Sequence, residues 1–157
     1  MAPRRTPAER LYDALCVGNL AAAKAAKQAG AGVNHSDPSL GDGKTPMNVA
    51  CQFGHLELAT WLHAAGAAVD CKDRSGWTPL YLACFYGHLQ TVKWLVGAGA
   101  AVEHKDDPLT PLRAACSHGH LEIAQWLHAQ GATLEATDKS GWAPMHHGAP
   151  PTPPAPN

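Results

Sequence analysis

An all-α solenoid of repeated helix–turn–helix units is the fold class that this sequence predicts, and three internal registers predict it. Thr-Pro recurs at Thr45-Pro46, Thr78-Pro79 and Thr110-Pro111, with Ala143-Pro144 as a weaker relative. Gly-His recurs at Gly54-His55, Gly87-His88 and Gly119-His120, and Gly-Ala at Gly66-Ala67, Gly99-Ala100 and Gly131-Ala132. Every series advances by 33 residues and then by 32. Such a period belongs to stacked units that share one core, not to a single continuous domain pattern. The one-residue deletion falls where Asp73-Arg74-Ser75-Gly76-Trp77 becomes Asp106-Asp107-Pro108-Leu109.

Each element of the unit has a local cause. Thr45 can cap a helix with its hydroxyl, and Pro46 then takes the first helical position, where no N–H is needed. Met47, Ala50 and Cys51 follow at i, i+3 and i+4, a narrow apolar stripe on a very short helix. Gly54 supplies the left-handed residue that stops it. Leu56, Leu58, Ala59, Trp61 and Leu62 make a second, longer amphipathic stretch that Gly66-Ala67 ends. From Val69 to Trp77 the chain has turn and strand chemistry, which predicts a short β-hairpin-like loop finger before the next Thr-Pro.

This reading gives about four repeats plus a C-terminal partial one. A degenerate capping repeat spans 6–44, full repeats span 45–77, 78–109 and 110–142, and a partial repeat covers 143–148. Residues 1–5 form a flexible arm and 149–157 a proline-rich tail. The first unit opens with Thr6-Pro7-Ala8-Glu9, a capping box with Pro at the first helical position. Its second helix, Ala21 to Ala29, carries Lys24, Lys27 and Gln28, as expected of a polar solenoid cap. The step from Gly30 to Gly66 is 36 residues, so the loop from Pro38 to Gly43 holds about three extra.

Composition narrows the function classes. The chain has 157 residues, 45% hydrophobic and 16% charged, with a formal net charge of −1. That apolar fraction is incompatible with a mainly disordered chain. The near-neutral charge argues against nucleic-acid or membrane-surface binding. No apolar run approaches the roughly 20 residues of a membrane helix. Met1 to Arg10 has no apolar stretch of a secretory signal, so a cytoplasmic protein is expected, with the nucleus as the alternative. Five cysteines, at 16, 51, 71, 84 and 116, are an odd number that fits free thiols in a reducing compartment.

The combined motif resembles the ankyrin repeat, whose signature carries Thr-Pro-Leu-His, Ala-Ala, Gly-His and Gly-Ala in about 33 residues. The resemblance covers roughly residues 8 to 148. It departs from the pattern where the His after Thr-Pro-Leu is Asn48, Tyr81 and Arg113, surviving only as His146. That puts the usual Thr-to-His hydrogen bond at those helix starts in question. The second Ala of the Ala-Ala pair is Cys51, Cys84 and Cys116. The resemblance implies turn hydrogen bonding for His55, His88 and His120, and partner contacts on the concave helix face and loop fingers.

Constellations that look chemical have simpler readings. Cys51/His55, Cys84/His88 and Cys116/His120 have an i, i+4 spacing that could chelate zinc on one continuous helix. A Gly interrupts each pair, however, and neighbouring units sit about 8–10 Å apart, whereas zinc ligands lie about 2.0–2.3 Å from one ion. No metal or other cofactor is expected, and the same spacing disfavours disulfides among these cysteines. No Ser or Cys has a base and an orienting acid at a recognisable spacing, and the glycines are helix terminators, not a phosphate loop. No catalytic residues are therefore assigned. Trp61, Trp94 and Trp126 share one register and belong to the repeat-stacking core.

The candidate partner-binding residues are the positions that change between units while the core does not. They are Asn48, Gln52 and Phe53; Trp77, Tyr81, Phe85 and Tyr86; and Leu109, Arg113, Ser117 and His118. The middle unit concentrates aromatic residues, which with Arg are enriched at interface hot spots. The competing reading is that Tyr81 and Phe85 simply pack on each other at i, i+4. The function expected is a non-catalytic, monomeric protein–protein interaction module with an unidentified protein partner. The alternative is a regulatory adaptor or inhibitor that also uses its proline-rich tail to bridge two proteins.

The polar helix of the first unit has no C-terminal counterpart, because only Met145 to Ala149 separate Pro144 from the prolines. Solenoid stability is a sum of unit and nearest-neighbour terms, so the last full repeat is expected to fray. Hydrogen exchange should therefore be faster for amides of residues 121–130 than for those of 89–97, and equal protection would contradict this.

Overall fold

A helix leaves its first N–H groups without intrahelical partners, and the repeated Thr-Pro pair answers that in two ways. The computed structural model describes residues 5–36, 43–103 and 109–133. In chain order its helices are α1 (Pro7–Cys16), α2 (Leu20–Gln28), α3 (Pro46–Gln52), α4 (Leu56–Ala64), α5 (Pro79–Phe85), α6 (Leu89–Gly97), α7 (Pro111–Ser117) and α8 (Leu121–Ala129). Thr6, Thr45, Thr78 and Thr110 stand at the N-caps of α1, α3, α5 and α7, each accepting a backbone N–H three residues on, with Pro next in line. No strand is assigned among the described residues.

The odd-numbered helices form one row and the even-numbered helices a second. Neighbours in the first row pack against each other far more extensively than neighbours in the second. The stack therefore curves toward the first row, which lines its concave side. Small buried residues (Ala14, Ala50, Ala83 and Ala115) recur on the first helices and permit that close approach. Between the rows lies one apolar core, with Leu11, Leu15, Met47, Leu58, Leu62, Leu80, Leu95, Leu112 and Leu127 fully buried. Trp61, Trp94 and Trp126, expected within the core, are instead half-buried and pack against its edge. Only Ala23 and Ala26 of α2 are buried, and its exposed side mixes Lys24, Lys27 and Gln28 with Ala21, Ala22 and Ala25.

Units are tied together by side chains that cross from one to the next. His55, His88 and His120 begin α4, α6 and α8 without capping their own helices. Their Nε2–H groups reach back to the last-turn carbonyls of the preceding first helix. His55 meets Cys16 O at 3.4 Å, His88 meets Gln52 O at 2.9 Å and His120 meets Phe85 O at 3.1 Å. Those carbonyls have no intrahelical donor, so each bond satisfies an otherwise orphaned acceptor. In unit 1 the same position is Asn19, whose side chain caps its own helix by accepting from Ala22 N. At the loop side, Asn34 Nδ2 donates to Gly66 O and its Oδ1 accepts from Ala68 N, both at 2.8 Å. Glu103 Oε1 accepts from the backbone and hydroxyl of Thr133 in the same manner.

The loop finger of unit 2 is smaller than a hairpin. Asp73 N donates to Trp77 O at 3.0 Å, and Asp73 Oδ1 accepts from Ser75 N and Trp77 N, both at 2.9 Å. A single carboxylate thus holds the turn closed. Residues 37–42 and 104–108, in the loops of units 1 and 3, lie outside the described residues, as do 1–4 and 134–157, where the loop of unit 4 falls. The expectations for the partial repeat and the tail fall there.

The glycine of Gly-His has two separate reasons to be glycine. Gly87 has φ +83° and a Cβ there would sit 2.5 Å from the ring of His120. Gly99 has φ +96° with no atom of the described residues within 4 Å of such a Cβ. Both substitutions to Ala incur left-handed strain of about 1–2 kcal/mol. Only Gly87→Ala must also expel the His120 ring from its carbonyl. Urea titration should place Gly87→Ala at least about 1 kcal/mol below Gly99→Ala, the usual worth of a lost hydrogen bond. Equal losses would show that the ring contact contributes nothing.

Candidate functional site

Four rows run along the concave side, each made of one register position per unit. The finger base reads Lys44, Trp77 and Leu109; the next row reads Tyr12, Asn48, Tyr81 and Arg113. The third reads Cys16, Gln52, Phe85 and Ser117, and the fourth, at the helix ends, reads Val17, Phe53, Tyr86 and His118. The finger-base row is half-buried, and from the second row to the fourth exposure increases. Asn48 is 0% exposed and Tyr81 9%, whereas Phe53 and Tyr86 are each 43% exposed and Val17 is 74%.

Asn48 is therefore not a surface residue, contrary to the sequence expectation. Its Oδ1 accepts from Thr45 N at 3.0 Å and from the Thr45 hydroxyl at 2.6 Å, while its Nδ2 donates to Trp77 O at 3.2 Å. The short amide turns back on the cap and across to the next finger, which closes it off from solvent. It also restores at α3 the hydrogen bond that loss of the usual His put in question. At α5 and α7 the Thr hydroxyl receives only the backbone N–H, from Tyr81 at 3.1 Å and Arg113 at 3.2 Å. Tyr81 departs from expectation as well. The Trp77 ring lies beside it, centroids 5.5 Å apart, and it belongs to the core cluster.

The remaining aromatic residues do come together. Trp77 stacks on Phe85 at 5.7 Å with planes 27° apart, and Tyr81 lies 6.2 Å from Phe85. Phe85 then touches Tyr86 at 4.9 Å and His118 of the next unit at 3.8 Å. Aromatic pairs at such separations contribute about 0.5–1.5 kcal/mol each beyond their buried area. The packing reading and the partner reading thus divide the cluster between them: Tyr81 is an inner support, and Trp77, Phe85, Tyr86 and His118 form a partly exposed plate upon it. Arg113 and Leu109 are half-buried beside it, and Ser117 is exposed, its hydroxyl donating to Arg113 O at 2.8 Å.

A groove of about 450 Å³ lies at the first two units. Gln52 and Phe53 line it, as do Tyr12, Val49 and Cys16, with Arg5, Glu9, Asp13 and Lys44 supplying charge of both signs. Arg5 pairs with Asp13, and the Tyr12 hydroxyl donates to Lys44 O. Sequence reasoning missed the unit 1 side of this groove because it treated that unit only as a cap. Carrying the register rows back by one unit to Tyr12, Cys16 and Val17 would have found it.

The Cys and His of each suggestive pair part company. Cys51 and Cys84 lie in the core, while the following His turns to the preceding unit. Among the described residues no three His, Cys, Asp or Glu side chains come together as a metal site. No helix among them is long and apolar enough to cross a membrane. Burial pushes the Cys51 and Cys84 thiols far above their ordinary range, and the neighbouring Cys71 raises Cys51 further. Cys16 is raised by partial burial, with nearby Lys44 acting in the opposite direction.

The sequence matches the family described as ankyrin repeats in three copies over residues 11–106. It matches the description for many copies over residues 97–147. A search of curated protein sequences returned no significant match.

The thiols provide a check on this geometry. Disulfide-exchange reagents should label exposed Cys16 first in the native protein, and Cys51 and Cys84 only on unfolding. The buried thiols stay protonated when folded, whereas unfolded thiols ionise near their ordinary value of 9.0. The unfolded chain therefore binds fewer protons above that pH. Their stabilising contribution is complete below about 9 and declines as pH rises further. Denaturation midpoints measured from pH 7 to 10 should fall above 9, and less so in a Cys51→Ala, Cys84→Ala protein.

Proposed function

The chain belongs to the ankyrin-repeat family, and on that basis we propose that it is a non-catalytic module whose concave face holds one protein partner. Ankyrin repeats are in general protein–protein interaction modules. The observation that carries the reading for this chain is the partly exposed plate of Trp77, Phe85, Tyr86 and His118. Large, rigid aromatic surface near the centre of a concave face is the composition of an interface hot spot. Phe53 and Gln52 extend it toward the charged groove, and Arg113 and Ser117 extend it toward unit 4.

The plate residues are not equivalent as probes. Removing Tyr81 would take away the support under Trp77, so its loss reports on folding as much as on binding. Phe53 and Tyr86, each 43% exposed, are the cleaner choices. Once a partner has been captured by cross-linking and identified, Phe53→Ala with Tyr86→Ala should weaken its binding at least tenfold, or about 1.4 kcal/mol. Helical circular dichroism should stay unchanged. Thr60→Ala with Lys93→Ala, exposed on second-row helices, should leave binding within about twofold on the surface-substitution scale. The reverse pattern would place the interface on the second row.

A further inference from the structure

We infer that the partner segment held on this face is an extended peptide, with an apolar residue that has an acidic residue three positions to either side. The inference rests on the proposed partner site and names the chemistry of its occupant. Three observations support it.

The first is spacing. Each row presents one side chain per unit, and packed helices lie about 8–10 Å apart. Three residues of extended or polyproline II chain advance about 9–10 Å. A peptide lying along the stack in that conformation brings every third side chain over a new unit. Its middle anchor falls on Trp77, Phe85 and Tyr86, whose ring centroids lie 4.9–5.7 Å apart with part of that surface open to solvent. An apolar side chain is the group that such rings accept.

The second is charge. The four concave rows contain no Asp or Glu, and cations stand on both sides of the plate along the stack. Lys44 precedes Trp77 in the finger-base row, and the Arg74 side chain passes over its neighbour Gly43. Arg113 follows Tyr81 in the second row. Carboxylates on the same side of the stack are held within the chain. Asp73 is buried and accepts from Ser75 N and Trp77 N, Asp13 pairs with Arg5, and Glu9 accepts from Thr6 N at 2.7 Å. A guanidinium has five N–H donors and serves more than one acceptor, so Arg113 can add a guest carboxylate to its existing contacts. Lys44 and Arg113 are two units apart, about 16–20 Å, which six residues of extended chain span.

The third is the guest's backbone. An extended peptide brings N–H and C=O groups that it cannot satisfy itself, whereas a helix satisfies its own. Beside the rings, the third and fourth rows carry the Gln52 amide, the Tyr86 phenol, the Ser117 hydroxyl and the His118 imidazole, whose Nδ1 is turned to Ala114 O. Polar groups therefore accompany the apolar surface in each of units 2, 3 and 4, as an extended guest requires.

The test selects random linear peptides displayed on phage against the full chain and against its Lys44→Glu, Arg113→Glu variant. On the parent, enriched peptides should share an apolar residue with Asp or Glu three positions before it and three after. On the variant, once its circular dichroism matches the parent, those acids should give way to Lys or Arg while the apolar position persists. Should the variant not fold, Arg113→Gln serves instead and should weaken a synthetic copy of the leading peptide about tenfold. Acids at helical spacing, four or seven positions apart, would overturn the inference by assigning the face a helical guest. Enrichment without acids, or no enrichment, would overturn it equally. If a cross-linked partner is still lost with Phe53→Ala and Tyr86→Ala while no peptide is enriched, the partner site stands and only the extended guest falls. Peptides lost instead with Thr60→Ala and Lys93→Ala would remove both.

Discussion

A single helix–turn–helix unit has too little core to stand alone, so everything in this molecule depends on how one unit fixes its neighbour. The decisive interaction is the His–carbonyl bond across the Gly-His turn. His55, His88 and His120 each reach the end of the preceding first helix, and the glycine opposite leaves room for the ring. That bond sets the offset between units and therefore which side chains meet. Asn34 and Glu103 repeat the idea at the loop side with a different donor–acceptor pair. Register is thus held at both ends of the second helix, and the apolar core between is free to be generic Leu, Ala and Val.

With the offset fixed, the concave face becomes a place where sequence can vary cheaply. Buried positions such as Met47, Leu80 and Leu112 hardly differ in character, whereas the helix-end row changes from Val17 to Phe53, Tyr86 and His118. The stacking of Trp77 on Phe85 and the contact between Phe85 and His118 make the plate a product of three units. None alone would present it. This is why the site reading follows from the stacking and cannot be separated from it.

Helix starts, cap residues and turn glycines were legible in the sequence, because each depends on contacts within a few residues. Thr45, Pro46 and Gly54 act locally and say so in any context. The placement of Asn48 and Tyr81 was not legible. Both sit near the start of a seven-residue helix, where the face a side chain takes is decided by the neighbouring finger. The Trp77 carbonyl draws Asn48 in, and the Trp77 ring covers Tyr81. The groove at the first unit was hidden for a related reason: Tyr12 belongs to the same row, but a degenerate repeat masks the correspondence. Outcomes at the fingers other than that of unit 2, and at the tail, concern residues beyond those described.

The unequal packing of the two rows gives the array a mechanical character. Helices of the first row touch closely through small side chains, with histidine bonds at their ends, while α4, α6 and α8 meet over much less surface. Such a laminate is stiff along one side and compliant along the other. Bending strain will collect in the second row, whose few contacts part or close at little cost, while the rung spacing of the first row, about 8–10 Å, is preserved. A guest need not match the curvature of the groove, since the groove can flex to meet it. It must match the spacing of the rungs.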